Sequence, residues 1–181
     1  MLAAVSQTEP IPPPSGNLES LFQAHHGQIF ATAYRVCGNA QDAEDVLQTV
    51  FMRLLRRQDE IDLRPSPMSY LHRAAVNASL DLLRSRSRSR TVELDDFDAP
   101  AGEHESPERH HQDREIRGAL RQALTVLSPK NAEIFSLRYF EDLSNRDIAH
   151  NLGMSQTAVG VALHRARSQV KKEMQPLVGG N

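Results

Sequence analysis

With 181 residues, a single cysteine and no tryptophan, the chain has room for one medium domain or two small ones and cannot close an internal disulfide. Its net charge is −2 and its pI is near 6.4. A protein that grips nucleic acid unaided normally carries clustered positive charge, so this balance speaks against one. No glycine-rich phosphate loop, nucleophile elbow or metalloprotease helix occurs, so nothing points to an enzyme or to a cofactor.

The first 17 residues hold four prolines and no basic residue, lacking both the charged start and the apolar run of a secretory signal. They read as a disordered tail. Leu18, Leu21, Phe22, Ile29, Phe30, Ala33 and Tyr34 then form a helical apolar stripe that Gly38 and Asn39 interrupt. Asn39 suits the N-cap of a second helix, running to about Arg57. There Ala43, Val46, Leu47, Val50, Phe51, Leu54 and Leu55 recur at helical spacing, with Asp42, Glu44 and Asp45 in the first turn. Residues 59–67, with two prolines, read as a loop. Leu71, Ala74, Ala75, Ala78, Leu82 and Leu83 mark the buried side of a third helix whose other side shows Arg73, Asn77 and Arg84.

From Ser85 to about Gln112 apolar anchors are few; arginines alternate with serines, and acidic residues then dominate. This composition predicts a flexible linker and two units that move independently. Beyond it four helices are expected: Ile116–Leu127, one entered through Ser128 and Pro129, Ser144–Leu152 and Ser155–Met174. Ser144 with Asp147 resembles a capping box, and Gly153 makes the tight turn of a helix-turn-helix. The fold class is therefore all-α: two small helical domains joined by a flexible linker, the second a four-helix unit with a helix-turn-helix. Ile148, Ala149, Leu152, Met154, Val159, Leu163 and Ala166 form its inner face. Gln156, Thr157, Gly160, Val161, His164 and Arg165 form the outer face of its second helix, with Arg167 beside them. A helix so exposed suits the major groove, although an ordinary helical hairpin with solvated polar residues has the same pattern.

The run Asp42-Ala43-Glu44-Asp45-Val46-Leu47-Gln48 with Phe51, and Tyr70-Leu71-His72-Arg73 with Asn77 and Asp81, resemble the second region of sigma factors. Ile148-Ala149, Leu152-Gly153-Met154-Ser155 and Leu163-His164-Arg165-Ala166-Arg167 resemble their fourth. The chain is thus similar to the sigma-70 family, extracytoplasmic-function (group 4) type. The resemblance implies a region 2-like domain over 18–87 for polymerase binding and promoter melting, an acidic linker over 88–112, and a region 4-like domain over 113–175, with a tail over 176–181. It implies core RNA polymerase and promoter DNA as partners, with an anti-sigma factor as a further class of partner; the lone Cys37 and the lack of an apolar run of roughly 20 residues separately point to the cytoplasm without membrane insertion.

By the same resemblance Asp45, Gln48, Thr49 and Met52 face polymerase. Arg73, Asn77 and the loop Ile61–Pro67 hold the melted strand, and Arg84 joins them on the basic side. For Asp42 and Glu44 helix capping is the preferred role, and Tyr70 serves either as a packed ring or as a stacking platform. Relatives often carry Trp at the place of Tyr70, Arg at that of Val76, and Lys or Arg at those of Gly160 and Ala162. These departures point to weaker melting and fewer phosphate contacts. Two other functions remain open: a helix-turn-helix regulator that acts without polymerase, and a sigma-like adaptor with weakened promoter binding. The histidine pairs His25-His26 and His110-His111 lack metal-ligand spacing, so no metal site is expected.

Overall fold

The computed structural model describes residues 15–57, 66–89 and 107–178. The described residues form helices only: α1 (Ser15–Cys37), α2 (Ala40–Arg56), α3 (Pro67–Ser89), α4 (Pro107–Val126), α5 (Pro129–Tyr139), α6 (Asn145–Leu152) and α7 (Gln156–Val178). Local chemistry sets most of these limits. Gly38, at φ +84°, turns the chain out of α1 in a left-handed conformation that favours glycine. Asn39 then caps α2, its side-chain oxygen accepting the Asp42 N–H at 2.8 Å. Ser128 caps α5 through the Asn131 N–H, and Pro129 fills the first helical position.

Helices α1–α3 pack around Ile29, Ala33, Cys37, Val46, Val50, Phe51, Leu54, Leu71, Ala75 and Ala78. Phe22 closes the end of this cluster edge-on against Phe51, with ring centroids 4.9 Å apart. A second core, built by α4–α7 around Leu124, Ile134, Leu137, Ile148, Val159 and Leu163, also takes in Val36 of α1 and Val76, Leu80 and Leu83 of α3. In this structure the two units expected to move independently pack together, the halves sharing a continuous apolar cluster. The sequence pattern counted Leu83 toward α3's own core and did not single out Leu80. Val76, noted above as a departure from relatives, is fully buried in this shared core.

The expected linker is also shorter than composition implied. Helix α3 continues to Ser89 and α4 begins at Pro107 rather than Ile116. Proline serves as the first helical residue again, where its missing N–H leaves no carbonyl unpaired. At the far end α7 runs through Pro176 to Val178, into the segment expected as a tail. The expectations for residues 1–14, 58–65, 90–106 and 179–181 lie outside the described residues.

Candidate functional site

The helix-turn-helix is held by three local devices. Ser144 and Asp147 form a full capping box at the start of α6, with Asp147 N–H donating to Ser144 Oγ at 3.2 Å and Ser144 N–H to Asp147 Oδ2 at 3.3 Å. The Ser144 hydroxyl and backbone hydrogen bonds hold the Asp147 carboxyl below its ordinary value. Gly153, at φ 62° and ψ 36°, ends α6 in the left-handed region, and Met154 N–H reaches back to Ala149 O at 2.9 Å. Ser155 then accepts the Ala158 N–H at the start of α7. Val159, Leu163, Ala166 and Val170 are buried beneath α7. Gln156, Thr157, His164, Arg165 and Arg167 are exposed, and Val161 is 46% exposed. Gly160 lies among them, and a Cβ added there would meet nothing within 4 Å. Its small size therefore answers no packing demand.

On the opposite half, Asp45, Gln48 and Met52 of α2 line an open groove of roughly 790 Å³ with Leu18, Phe22, Leu47, Phe51 and Leu55. Met52 and Leu55 are 43% and 51% exposed. Thr49 is half-buried and does not line the groove. Asp42 points the other way: it is fully buried and exchanges hydrogen bonds with Asn39. It also pairs with Arg86 from the end of α3. Asn39, rather than Asp42, thus supplies the helix cap, and the Asp42 carboxylate is held by the Asn39 amide and by an ion pair the sequence did not foretell.

On α3 the structure brings Arg73 and Asn77 together on one carboxylate, Glu133 of α5. Asn77 Nδ2 donates at 3.0 Å and Arg73 Nε at 3.3 Å, while Lys130 Nζ adds a contact at 3.0 Å. Arg73 Nη1 also donates to the Asn151 carbonyl of α6 at 2.9 Å. Arg84 stands apart near Asp81, and Tyr70 packs half-buried against the α1–α3 core. A second carboxylate, Glu141, leaves the α5–α6 turn beside Asp142, whose φ of 51° is a left-handed conformation that Asp tolerates. Arg35 grips it with Nη2 at 2.8 Å and Nε at 3.2 Å, Thr32 Oγ1 donates at 3.0 Å, and His72 Nδ1 lies 2.9 Å away.

Burial alone pushes both glutamates up. The hydrogen bonds and cations around them win, holding each carboxyl below the ordinary value: Asn77, Lys130 and Arg73 at Glu133, His72 and Arg35 at Glu141. Sequence reasoning missed both residues, since the partners that α1 and α3 supply to them lie far off along the chain. It also missed Arg121 of α4, whose guanidinium occupies the space over Gly38 that a side chain there would need. Burial lowers the pKa of Arg121, and Nε has no hydrogen-bond partner among the described residues. Burial likewise pushes the Cys37 thiol up to about 11, far from a reactive thiolate.

Comparison with known families matches residues 21–89 to sigma-70 region 2 and residues 117–170 to sigma-70 region 4. The two matches span more than half of the chain. It belongs to the sigma-70 family, extracytoplasmic-function type.

Among curated relatives, the sigma factor SigE of Mycolicibacterium smegmatis is 32% identical over 84% of this chain and 60% of its own length. The sigma-H factor of Pseudomonas aeruginosa is 30% identical, over 83% of this chain and 82% of that one. Two solved structures share the fold. CnrH in complex with the cytosolic domain of CnrY has a TM-score of 0.54 at 23% identity, over 90% of this chain and 92% of that one. RpoE in complex with the anti-sigma factor NepR from Bartonella quintana has 0.53 at 18%, over 88% and 97%. As a sigma factor the chain works with core RNA polymerase and promoter DNA in transcription initiation. The regulator and adaptor alternatives gain no support from these matches. No described helix is long and apolar enough to cross a membrane.

Proposed function

We propose that the sigma factor divides its work between its halves, α1–α3 holding core polymerase and the melted strand and α4–α7 gripping upstream duplex. The outer face of α7 carries this reading: an exposed stripe at helical spacing, raised on a capped and glycine-turned α6. Its N-terminal residues Gln156, Thr157, Gly160, Val161 and His164 face the base edges of a major groove, and Arg165 and Arg167 reach phosphates. In the other half, Asp45, Gln48, Thr49 and Met52 meet polymerase, with the apolar groove beside them receiving a helical surface. Arg73, Asn77 and Arg84 hold the non-template strand by charge-assisted hydrogen bonds.

An anti-sigma protein is a further partner in this reading, supported by the two fold neighbours, both determined with a bound partner chain. The near-neutral charge assigns polymerase much of the work of attracting DNA, so the free chain binds promoters poorly. The test is transcription from a promoter library by core polymerase with and without the protein, read by sequencing transcript starts. New starts sharing an upstream motif are expected. Binding to core polymerase without new starts would leave the adaptor reading, and no binding at all would leave the polymerase-independent regulator.

A further inference from the structure

The residues assigned to the melted strand are not free. Arg73 and Asn77 donate to Glu133, and Arg73 also donates to the Asn151 carbonyl. Immediately before Arg73 on α3, His72 closes on Glu141 together with the α1 residues Arg35 and Thr32. Both carboxylates belong to the other half of the chain, and both are almost wholly buried, Glu141 to 2% exposure. Glu133, accepting an arginine N–H and a side-chain amide, and Glu141, accepting a forked arginine, each offer those donors what a phosphate oxygen offers. We propose that Glu133 and Glu141 hold the free sigma factor in a self-occluded form, taking the place of strand phosphates on the α1–α3 face until single-stranded promoter DNA competes for it. This regulation rests on the strand-holding role given above to Arg73 and Asn77.

The clasp is built to open. Its ion pairs are rewetted readily once the halves part. The junction also buries Arg121 Nε, over Gly38, without a hydrogen-bond partner among the described residues, a group that gains solvation on opening. Contacts between domains of one chain are commonly of this partly polar, separable kind. A face available only in a minor open form binds its ligand more weakly by the fraction open. Removing the clasp therefore raises apparent affinity by the same factor.

The experiment uses the full chain as Arg35→Glu, Glu141→Arg and the double swap, none of which alters a residue assigned to DNA or polymerase. Small-angle scattering reads compactness, and fluorescence anisotropy reads binding of a labelled random single-stranded oligonucleotide. Each single variant is expected to expand the molecule and to raise oligonucleotide affinity by about tenfold or more. The swap is expected to restore both parental values. Glu141→Arg makes the chain more positive and Arg35→Glu more negative, so general charge attraction does not raise binding in both. Singles as compact as the parent, or a swap that does not restore it, overturn the clasp. Expansion without a gain in binding overturns the occlusion. Adding Arg73→Ala to the opened protein separates the two claims: if binding is then unchanged, the strand-holding role of α3 has failed while the clasp itself stands.

Discussion

Leu80 lies on α3, yet it is 2% exposed within the cluster that α4–α7 build, whereas Leu71, about two and a half turns back on the same helix, is fully buried in the α1–α3 core. Leu→Ala at a buried site costs about 2–5 kcal/mol, through lost burial and the cavity left behind. Leu71→Ala should show this loss in full. Leu80→Ala faces a ceiling, because an opened form already exposes Leu80: its cost cannot exceed the free energy between closed and open. Urea denaturation followed by helical circular dichroism, with hydrogen exchange read over α4 and α5, separates the two. Leu80→Ala should speed exchange in α4 and α5 and lower stability by about 2 kcal/mol or by the opening free energy, whichever is smaller. A loss under about 0.5 kcal/mol, the range of a surface substitution, with no faster exchange in α4 and α5 and the full loss at Leu71→Ala, would show that Leu80 faces water in solution and refute the shared core.

Gly160→Lys should be tolerated, since the space beside Gly160 is open, and should gain helix propensity of about 1 kcal/mol. If α7 enters the major groove, holoenzyme binding to promoter DNA should tighten and its log–log salt slope steepen by about one. Leu55→Glu, at an exposed position in the α2 groove, should weaken binding to core polymerase in a pull-down while leaving the melting temperature within about 2 °C of the parent. Acid should loosen the junction. Glu133 and Glu141 titrate below the ordinary value of 4.5 in the folded chain, so below that value the unfolded chain binds more protons. Stability is full above about pH 4.5 and declines as pH falls through the folded values. The double variant Glu133→Gln/Glu141→Gln should flatten this limb in a series of urea titrations; an unchanged slope would deny the two carboxylates this part.

What the sequence disclosed were interactions of short range. The Asn39 cap, Pro129 at its helix start, the Ser144–Asp147 box and the Gly153 turn each join residues within a few positions, where side-chain chemistry alone sets geometry. The outer face of α7 was equally legible, because helical period fixes which residues share a side. The docking of the halves was not. Periodicity shows that Val76 and Leu80 are apolar without saying which neighbour covers them, and Glu141 finds Arg35 and Thr32 more than a hundred positions away. The run of serines and arginines at the end of α3 read as linker because it lacks apolar anchors, yet Arg86 is fixed there by Asp42.

That last pair decides where the chain can be divided. A fragment ending before Arg86 would leave Asp42 a desolvated charge without its cation, at the very turn on which α2 begins. One ending after Ser89 keeps the pair but still bares Val36, Val76, Leu80 and Leu83, a greasy seam that invites self-association. Anyone isolating the first half for binding work should therefore cut beyond Ser89 and replace those seam residues with polar ones, rather than trust the apparent linker to mark an autonomous unit.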